Sequence, residues 1–322
     1  MKQKEIDFLM HCLMGEWTYA YRKDKYALHI LNYMFPGQHR VSEVKSSRYK
    51  GLLNKSLVSE LLAQSGDGLV NFNPEHAFDP NDKYFRISLG TWGEVQRWKK
   101  GNYHQVTRPE LNLTLLVNFD KDHDLIFFQG KGKENVDMFG LAFHPNSPKH
   151  NTLGWARLDI SLETNEVLIE EVQNDWLRDV KYYQRQLKLA DKQDQKYWLH
   201  DYEAWWSKYT EVVWVYMKMW DELILSATLW FIRDELGIEN VWYHSFDSSN
   251  YYKQVSRYSQ PPQFSCGRKG LFVRPFFIIR YYIFRLYCPP TSNKASVICP
   301  SEQTLQASIK ASNMLPFRNA TS

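Results

Sequence analysis

One run of the sequence, residues 167–176, constrains the fold more than any other. It reads Val-Leu-Ile-Glu-Glu-Val-Gln-Asn-Asp-Trp, so apolar residues lead directly into a cluster of carboxylates and amides. A short apolar run of this kind is typical of a buried strand, and the helical spacing that begins at Trp176 indicates a strand-to-helix junction. Because burial of an unpaired carboxylate is costly, Glu170, Glu171 and Asp175 must be paired or lie near water.

Residues 84–175 have the pattern of a β-sheet. Apolar residues alternate with other residues from 111 to 119, which is the period-2 spacing of a half-buried strand. Further strands are predicted at 125–129, 155–162 and 167–173. The last two are expected to form a hairpin, and a three-residue connection would place Arg157 opposite Glu171, where the two can pair.

Helical spacing dominates both flanks of this predicted sheet. Apolar residues recur with that spacing over 3–65 and again over 176–236, and Gly237 suits the position just past a helix C-terminus. A short buried strand follows at 241–246. A right-handed crossover from 167–173 makes these two strands parallel.

These patterns predict an α+β protein. A helical N-terminal segment (1–75) precedes an α/β core domain (76–260), which has a central, mainly antiparallel sheet and a C-terminal α/β unit. The tail (261–322) is basic and differs in composition: residues 266–322 contain eight Lys or Arg, one acid, three of the four Cys and none of the twelve Trp. It is either a native part of the domain or an extension or reading-frame artefact, and the sequence leaves both open.

Composition excludes several classes of function. A net charge of +4 over 322 residues is too small to indicate nucleic-acid binding. The apolar stretch 271–287 is broken by three Arg and one Pro, so we predict neither a transmembrane segment nor membrane contact by the tail. The N-terminus lacks the apolar core of a secretion signal, and a cytoplasmic location is therefore expected.

The sequence predicts no metal site, and it leaves the cofactor unknown. Asp120, Asp122 and Asp124 begin like a calcium loop, but Leu125 stands where that loop requires Gly and Lys131 where it requires Glu. The four Cys have no CxxC spacing. The chain also has no HExxH, GxSxG or GxGxxG motif.

The first candidate site is the polar end of strand 167–173. In a regular strand, Glu171, Gln173 and, if the strand extends, Asp175 share a face with Val167 and Ile169, while Glu170 lies on the other face. Open α/β sheets bind ligands at the C-terminal ends of their strands, which favours a catalytic site here. The alternative is a strand that runs into solvent, with the acids paired to Arg157, Arg178 or Lys181.

Two further segments carry candidate residues. Tyr103, His104 and Arg108 lie in a turn before a strand, where the imidazole could transfer protons and the guanidinium could hold a carboxylate or phosphate. His244 lies in the strand expected beside 167–173, so it could approach Asp175. For both segments the alternative is an ordinary structural role.

Part of the chain resembles a known type of domain. The pieces are Glu-Val-Gln-Asn-Asp-Trp at 171–176, Trp-Asp-Glu-Leu at 220–223, Gly237 and Val-Trp-Tyr-His at 241–244. In this order they resemble large polyvalent-protein-associated domains of phages and mobile elements, although Asn174 replaces the expected Ser and the insert at 180–219 is longer. The segment 103–118 is similar to uncharacterised bacterial proteins. The resemblance covers roughly 165–255 and implies no established chemistry.

Three functions are compatible with these observations. The first is a small-molecule (acyl) transferase-like enzyme, by fold-level analogy with acetyltransferases; Glu171 or Asp175 would be its base and Tyr252, a substrate-binding residue, its acid. The second is a non-enzymatic module that binds a protein partner in phage–host conflict. The third is a hydrolase or nucleotide-processing enzyme that uses Asp175, His104 and Arg108 on a small-molecule ligand.

Overall fold

The computed structural model describes residues 1–77, 79–80, 82–93, 110–129, 144–192 and 200–243. Within these ranges no helix has the length and apolar character needed to cross a membrane. The strands are β1 (Trp17–Tyr21), β2 (Gln38–Arg40), β3 (Leu69–Asn71), β4 (Lys83–Trp92), β5 (Asn112–Asn118), β6 (Thr152–Ser161), β7 (Glu166–Gln173) and β8 (Asn240–Tyr243). The α-helices are α1 (Gln3–Cys12), α2 (Lys25–Met34), α3 (Val41–Ser46), α4 (Ser56–Gln64), α5 (Lys121–Gln129), α6 (Trp176–Lys192), α7 (His200–Met217) and α8 (Trp220–Trp230). Short 3-10 helices occupy Lys50–Asn54 and Pro74–Ala77, and a π-helical turn occupies Phe231–Glu235.

Six of the strands form one sheet in the order β1-β4-β5-β6-β7-β8. Neighbouring strands are antiparallel except β7 and β8, which run parallel. β2 and β3 form a separate antiparallel pair. The predicted α+β class with a mainly antiparallel central sheet is therefore confirmed, and so is the parallel pairing of 167–173 with the strand that begins near 241. The division into 1–75, 76–260 and 261–322 stays a prediction.

The N-terminal segment contributes a strand to the sheet. The prediction of helix throughout 3–65 is wrong at β1, which pairs with β4 and turns Tyr19 and Tyr21 into the core. Gly15, with φ +136°, follows the end of α1. The sequence Trp-Thr-Tyr-Ala-Tyr then favours a strand, because aromatic and β-branched side chains pack well on a pleated surface.

The sheet has one apolar and one polar face, and both are covered. Residues on the apolar face include Phe85, Leu115 and Leu158, and α8 packs against it. The opposite face carries Thr114 and Arg157, which are also buried. The strand predicted at 111–119 as half-buried is thus buried at every position of β5.

The segment 125–129 is helical, so the strand predicted there is wrong. Asp120 Oδ1 accepts a hydrogen bond from the His123 backbone N–H at 2.9 Å, which caps α5 at its start. Asp122 and Asp124 in the first turn favour the same end of the helix. A short apolar run cannot by itself distinguish strand from helix, and here the cap determines the outcome.

The β6–β7 hairpin contains a bulge that changes which face its acids occupy. Residues 162–165 connect the strands, with Asn165 at φ 54°, so the connection is one residue longer than predicted. Leu158 lies opposite Ile169 and Arg157 opposite Glu171, which leaves Glu170 as the extra residue. The predicted pairing of Arg157 with Glu171 is confirmed. The prediction that Glu171 and Gln173 share a face with Ile169 is wrong, because the bulge moves both to the polar face.

The helical region before β8 ends as predicted. Gly237 has φ +66°, the left-handed conformation that favours glycine. Its N–H donates to the Arg233 carbonyl at 3.1 Å, and the Ile238 N–H donates to the Ile232 carbonyl at 3.0 Å. This pair of bonds stops the helix and directs the chain into β8.

A buried polar group joins β1, α2 and α8 on the apolar side of the sheet. The Tyr19 hydroxyl lies 3.0 Å from His29 Nε2 and 2.6 Å from Ser226 Oγ. Burial lowers the pKa of His29 to about 3, and the positive charges of Lys25 and Arg233 add to the effect. His29 is therefore a neutral member of the core.

Substitution Gly154→Ala should destabilise the fold. A Cβ at this position would lie 2.6 Å from the Gln173 carbonyl oxygen and 2.6 Å from Ile224 Cδ1. We expect the free energy of unfolding, measured with urea, to fall by about 1–3 kcal/mol. Gly51→Ala is the control, because its Cβ would meet nothing within 4 Å. Equal stability of the two variants would contradict the packing described for Gly154.

Protonation of His29 should contribute to acid denaturation. Its pKa is lowered in the folded chain, so its contribution to stability is complete above pH 6.5 and is lost as the pH falls from 6.5 towards 3. In urea unfolding at a series of pH values, His29→Gln should lose less stability between pH 7 and pH 4 than the wild type does. His39→Gln, at a partly exposed histidine on β2, should follow the wild type; a His29→Gln curve parallel to both would refute this assignment.

Candidate functional site

The site is built where β7 ends and α6 begins. Asn174 Oδ1 accepts a hydrogen bond from the Leu177 N–H at 2.8 Å, which caps the helix, and its Nδ2 donates to the Leu153 carbonyl. Leu153 is the extra residue of a second bulge, between β5 and β6. The cap and the bulge together fix the position of Asp175 immediately before α6.

Asp175 is 4% exposed and has three side-chain partners. His144 Nδ1 and the Arg178 guanidinium both contact its carboxylate, and Gln173 Nε2 donates to Oδ1 at 3.0 Å. We call these four residues the Asp175 cluster. Because both carboxylate oxygens are engaged, the side chain is held in one orientation.

His144 is the part of the cluster that can do chemistry. An ionised carboxylate only accepts hydrogen bonds, so the contact with Asp175 places a proton on Nδ1, and in the neutral imidazole the lone pair then lies on Nε2. Within the described ranges Nε2 makes no hydrogen bond. The side chain is 30% exposed. Trp92 and Trp155 meet the imidazole edge-on, with ring centres at 6.1 Å and 5.7 Å.

A buried ion pair lies beside the cluster on the polar face of the sheet. Arg157 and Glu171 contact each other directly, and their side chains are 2% and 7% exposed. The Arg157 guanidinium also lies over the Trp92 ring, 5.6 Å from its centre. The ion pair thereby supports one of the two indoles that flank His144.

A second carboxylate lies one turn along α6. Burial raises the pKa of Asp179; Arg178 and His144 oppose this rise, and the negative charge of Asp175 adds to it. The Asp179 backbone N–H donates to the Asp175 carbonyl at 2.9 Å, as expected within a helix. The site thus contains a carboxyl group that holds its proton more readily than usual.

The structure brings together three of the residues proposed from sequence. Gln173 and Asp175 are hydrogen-bonded, and Glu171 is adjacent but paired to Arg157. The other proposed residues lie outside the described residues: Tyr103, His104, Arg108, His244 and Tyr252. Their roles stay predictions.

Sequence reasoning missed His144, the histidine that contacts Asp175. It precedes Pro-Asn-Ser-Pro at 145–148, and this turn composition was the one local indication of a fixed loop. Trp92 and Trp155 gave no indication at all, because a tryptophan that flanks a site has the same pattern as one in the core.

Comparison with known proteins gives no match, whether to a family model, to a curated protein or to a solved structure. Among the described residues, no group of three or more His, Cys, Asp or Glu side chains could hold a metal ion. The chemistry of the site is therefore inferred from its own geometry.

Removing one partner of the buried Arg157–Glu171 pair should destabilise the fold more than removing both. Arg157→Met or Glu171→Met alone removes one member of a buried ion pair and should lower the free energy of unfolding by about 3–5 kcal/mol. The double variant leaves no charge and should lose clearly less than the sum of the two. Urea denaturation of all four proteins gives the coupling energy, and strict additivity would contradict the direct contact.

Proposed function

We propose that the chain is a small-molecule transferase or hydrolase that moves an acyl group to a nucleophile activated by His144. The supporting observation is the orientation of His144: Asp175 holds Nδ1, so Nε2 remains available as a general base. An imidazole oriented in this way by a carboxylate is the arrangement by which hydrolytic triads activate an attacking group.

The attacking group is taken from solution in this proposal. His144 makes no hydrogen bond with a Ser or Cys side chain in the described part of the chain, which favours water or an acceptor hydroxyl or amine as the nucleophile. His144 Nε2 takes a proton from the attacking water, hydroxyl or amine, while the oxygen or nitrogen of that molecule attacks the acyl carbon. The proton then passes to the leaving group as the acyl bond breaks.

The start of α6 limits where an acyl donor can bind. A helix N-terminus usually favours phosphate groups. Here Asn174 already caps the backbone and Asp175 lies immediately before the helix, so a pyrophosphate would meet negative charge. This supports hydrolysis, or transfer from a donor whose anionic part is held elsewhere, over a donor bound at α6.

Glu171 has a supporting role in this proposal. A carboxylate that is buried against Arg157 is a poor proton acceptor, because accepting the proton would remove the negative charge that faces the buried guanidinium. Glu171 fixes Arg157, and Arg157 supports Trp92 beside His144. Asp179 is the second acid–base candidate of the site, because burial raises the pKa of its carboxyl group, as suits a proton donor.

A non-enzymatic interaction module, of the phage-associated kind that the Glu-Val-Gln-Asn-Asp-Trp motif resembles, is the second candidate. The observation in its favour is a set of exposed large apolar side chains on α7 and on the two helices that it contacts: Leu125 and Phe128 on α5, Tyr182 and Leu189 on α6, and Trp214 and Val215 on α7. Exposed apolar surface of this kind marks binding sites for other proteins.

The catalytic proposal is tested by replacing the two central residues. The full chain is assayed for hydrolysis of short-chain chromogenic esters and for thiol release from acetyl-CoA. His144→Gln and Asp175→Asn should each lower the rate by about 100-fold or more, because general-base catalysis contributes at least that factor.

The matched control is His150→Gln. His150 lies six residues along the chain from His144 and also pairs with a carboxylate, that of Glu16, but outside the cluster. It should retain the wild-type rate. Full activity of His144→Gln would contradict the proposal, and so would a wild-type chain that turns over none of the acyl donors, a result that favours the interaction module.

A further inference from the structure

A second cavity lies apart from the Asp175 cluster, between β1, α2 and the end of α8. Its volume is about 430 Å³, within the range of small-molecule sites. Four charged side chains line it, Lys25, Glu75, Arg233 and Asp234, together with the polar side chains of His29 and Asn32. No member of the Asp175 cluster contributes to its wall.

The charges of the cavity are arranged by sign. Lys25 and Arg233 both act on His29 and lower its pKa, so the two cations lie close to the same imidazole. Glu75 and Asp234 form the negative side, since the charge of Glu75 adds to the rise of the Asp234 pKa. The His29 ring stays neutral between the cations and competes with neither side for a ligand charge.

These charged groups do not satisfy one another. Arg233 Nη1 is buried without a hydrogen-bond partner in the described chain. Its Nε lies 4.0 Å from Asp234 Oδ1, beyond hydrogen-bond distance. Partial burial raises the pKa of Asp234 to about 6 in spite of Arg233, and the side chain is still 47% exposed and open to a ligand. Lys25 Nζ donates to the Ala20 carbonyl at 2.6 Å and has no carboxylate partner among the described residues. The cavity therefore presents both positive and negative groups to a ligand.

We propose that this cavity binds a small zwitterion of the α-amino acid type, with its carboxylate held by Lys25 and Arg233 and its ammonium by Glu75 and Asp234. A ligand with one charge only would leave the opposite pair uncompensated. The lining carries two formal charges of each sign, which a zwitterion leaves balanced.

The adjoining space indicates the kind of side chain. A larger cavity of about 870 Å³ shares Asn32, Glu75, Arg233 and Asp234 with the first, so the two meet at the charged groups. Its wall includes the apolar side chains of Ile30, Met34, Leu229, Ile238 and Val241. A branched or long apolar side chain extends into this space, with a gain of about 25 cal/mol per Å² of buried apolar surface.

The test is isothermal titration calorimetry of the full chain with three matched probes. L-Leucine carries both charges, 3-methylbutylamine lacks the carboxylate, and 4-methylpentanoate lacks the ammonium. Leucine should bind at least tenfold more tightly than either of the others. No binding of leucine, or equal binding of leucine and one single-charge probe, would overturn the zwitterion assignment.

Variants locate the site and separate it from the catalytic proposal. Asp234→Asn and Glu75→Gln should each weaken leucine binding at least tenfold and leave the melting temperature near that of the wild type. Glu163→Gln, an exposed carboxylate in the β6–β7 turn, and His144→Gln should bind leucine as the wild type does. Unchanged leucine binding in both Asp234→Asn and Glu75→Gln would show that leucine does not bind in this cavity. That conclusion would hold whatever the acyl-transfer assay shows.

Binding should also depend on pH in a defined way. Protonation of Asp234, whose pKa of about 6 reflects burial together with Arg233, Glu75 and Glu235, removes one partner of the ammonium. Leucine binding should therefore weaken as the pH falls from 7 to 5, and Asp234→Asn should flatten this dependence. A dependence equally steep in Asp234→Asn would contradict the assignment of the ammonium to this carboxylate.

Discussion

The contact between Arg157 and Glu171 is the constraint on which the polar face of the sheet depends. A regular β7 would place Glu171 against the apolar layer under α8, where a carboxylate would have no partner. The bulge at Glu170 moves the side chain to the other face, opposite Arg157. The bulge in β7 therefore gives the buried Glu171 carboxylate a partner of opposite charge. It also places Gln173 on the polar face of the sheet.

The Asp175 cluster follows from that geometry. The bulge at Leu153 presents its carbonyl to Asn174, which fixes the start of α6, and the bulge at Glu170 brings Gln173 to the side on which it meets Asp175. Trp92, supported by Arg157, and Trp155 then confine His144 from two sides. The contacts of the imidazole come from two strands, β4 and β6, and from the junction of β7 with α6, and such rigid supports suit a catalytic group better than a loop alone.

Much of the fold is predictable from the sequence, because it rests on local patterns. The period-2 run of β5, the short apolar run of β7, the pairing of Arg157 with Glu171 and the glycine at the end of the helix before β8 all follow from spacing and turn chemistry. The errors have physical causes. The apolar run at 125–129 fits a strand or a helix, and the cap that Asp120 provides makes it the helix α5. The bulge at Glu170 adds one residue to β7, and nothing in the composition indicates it, so the faces predicted for Glu171 and Gln173 are wrong. The partner of Asp175 could not be found from sequence, because the contact joins a loop and a helix that are distant along the chain.

The parallel pairing of β7 with β8 has a kinetic consequence. The β6–β7 hairpin closes over four residues, 162–165, whereas β8 reaches Ile169 only after α6, α7 and α8 have been placed. Closing a loop over a long segment costs entropy before the contacts that compensate for it have formed. We therefore expect β8 to join the sheet after the hairpin has formed. An intermediate that has formed the hairpin but lacks β8 would expose the backbone groups of β7 as an unpaired edge, the kind of edge at which chains add to one another. β7, the strand that leads into the site, is thus expected to gain its second neighbour late in folding.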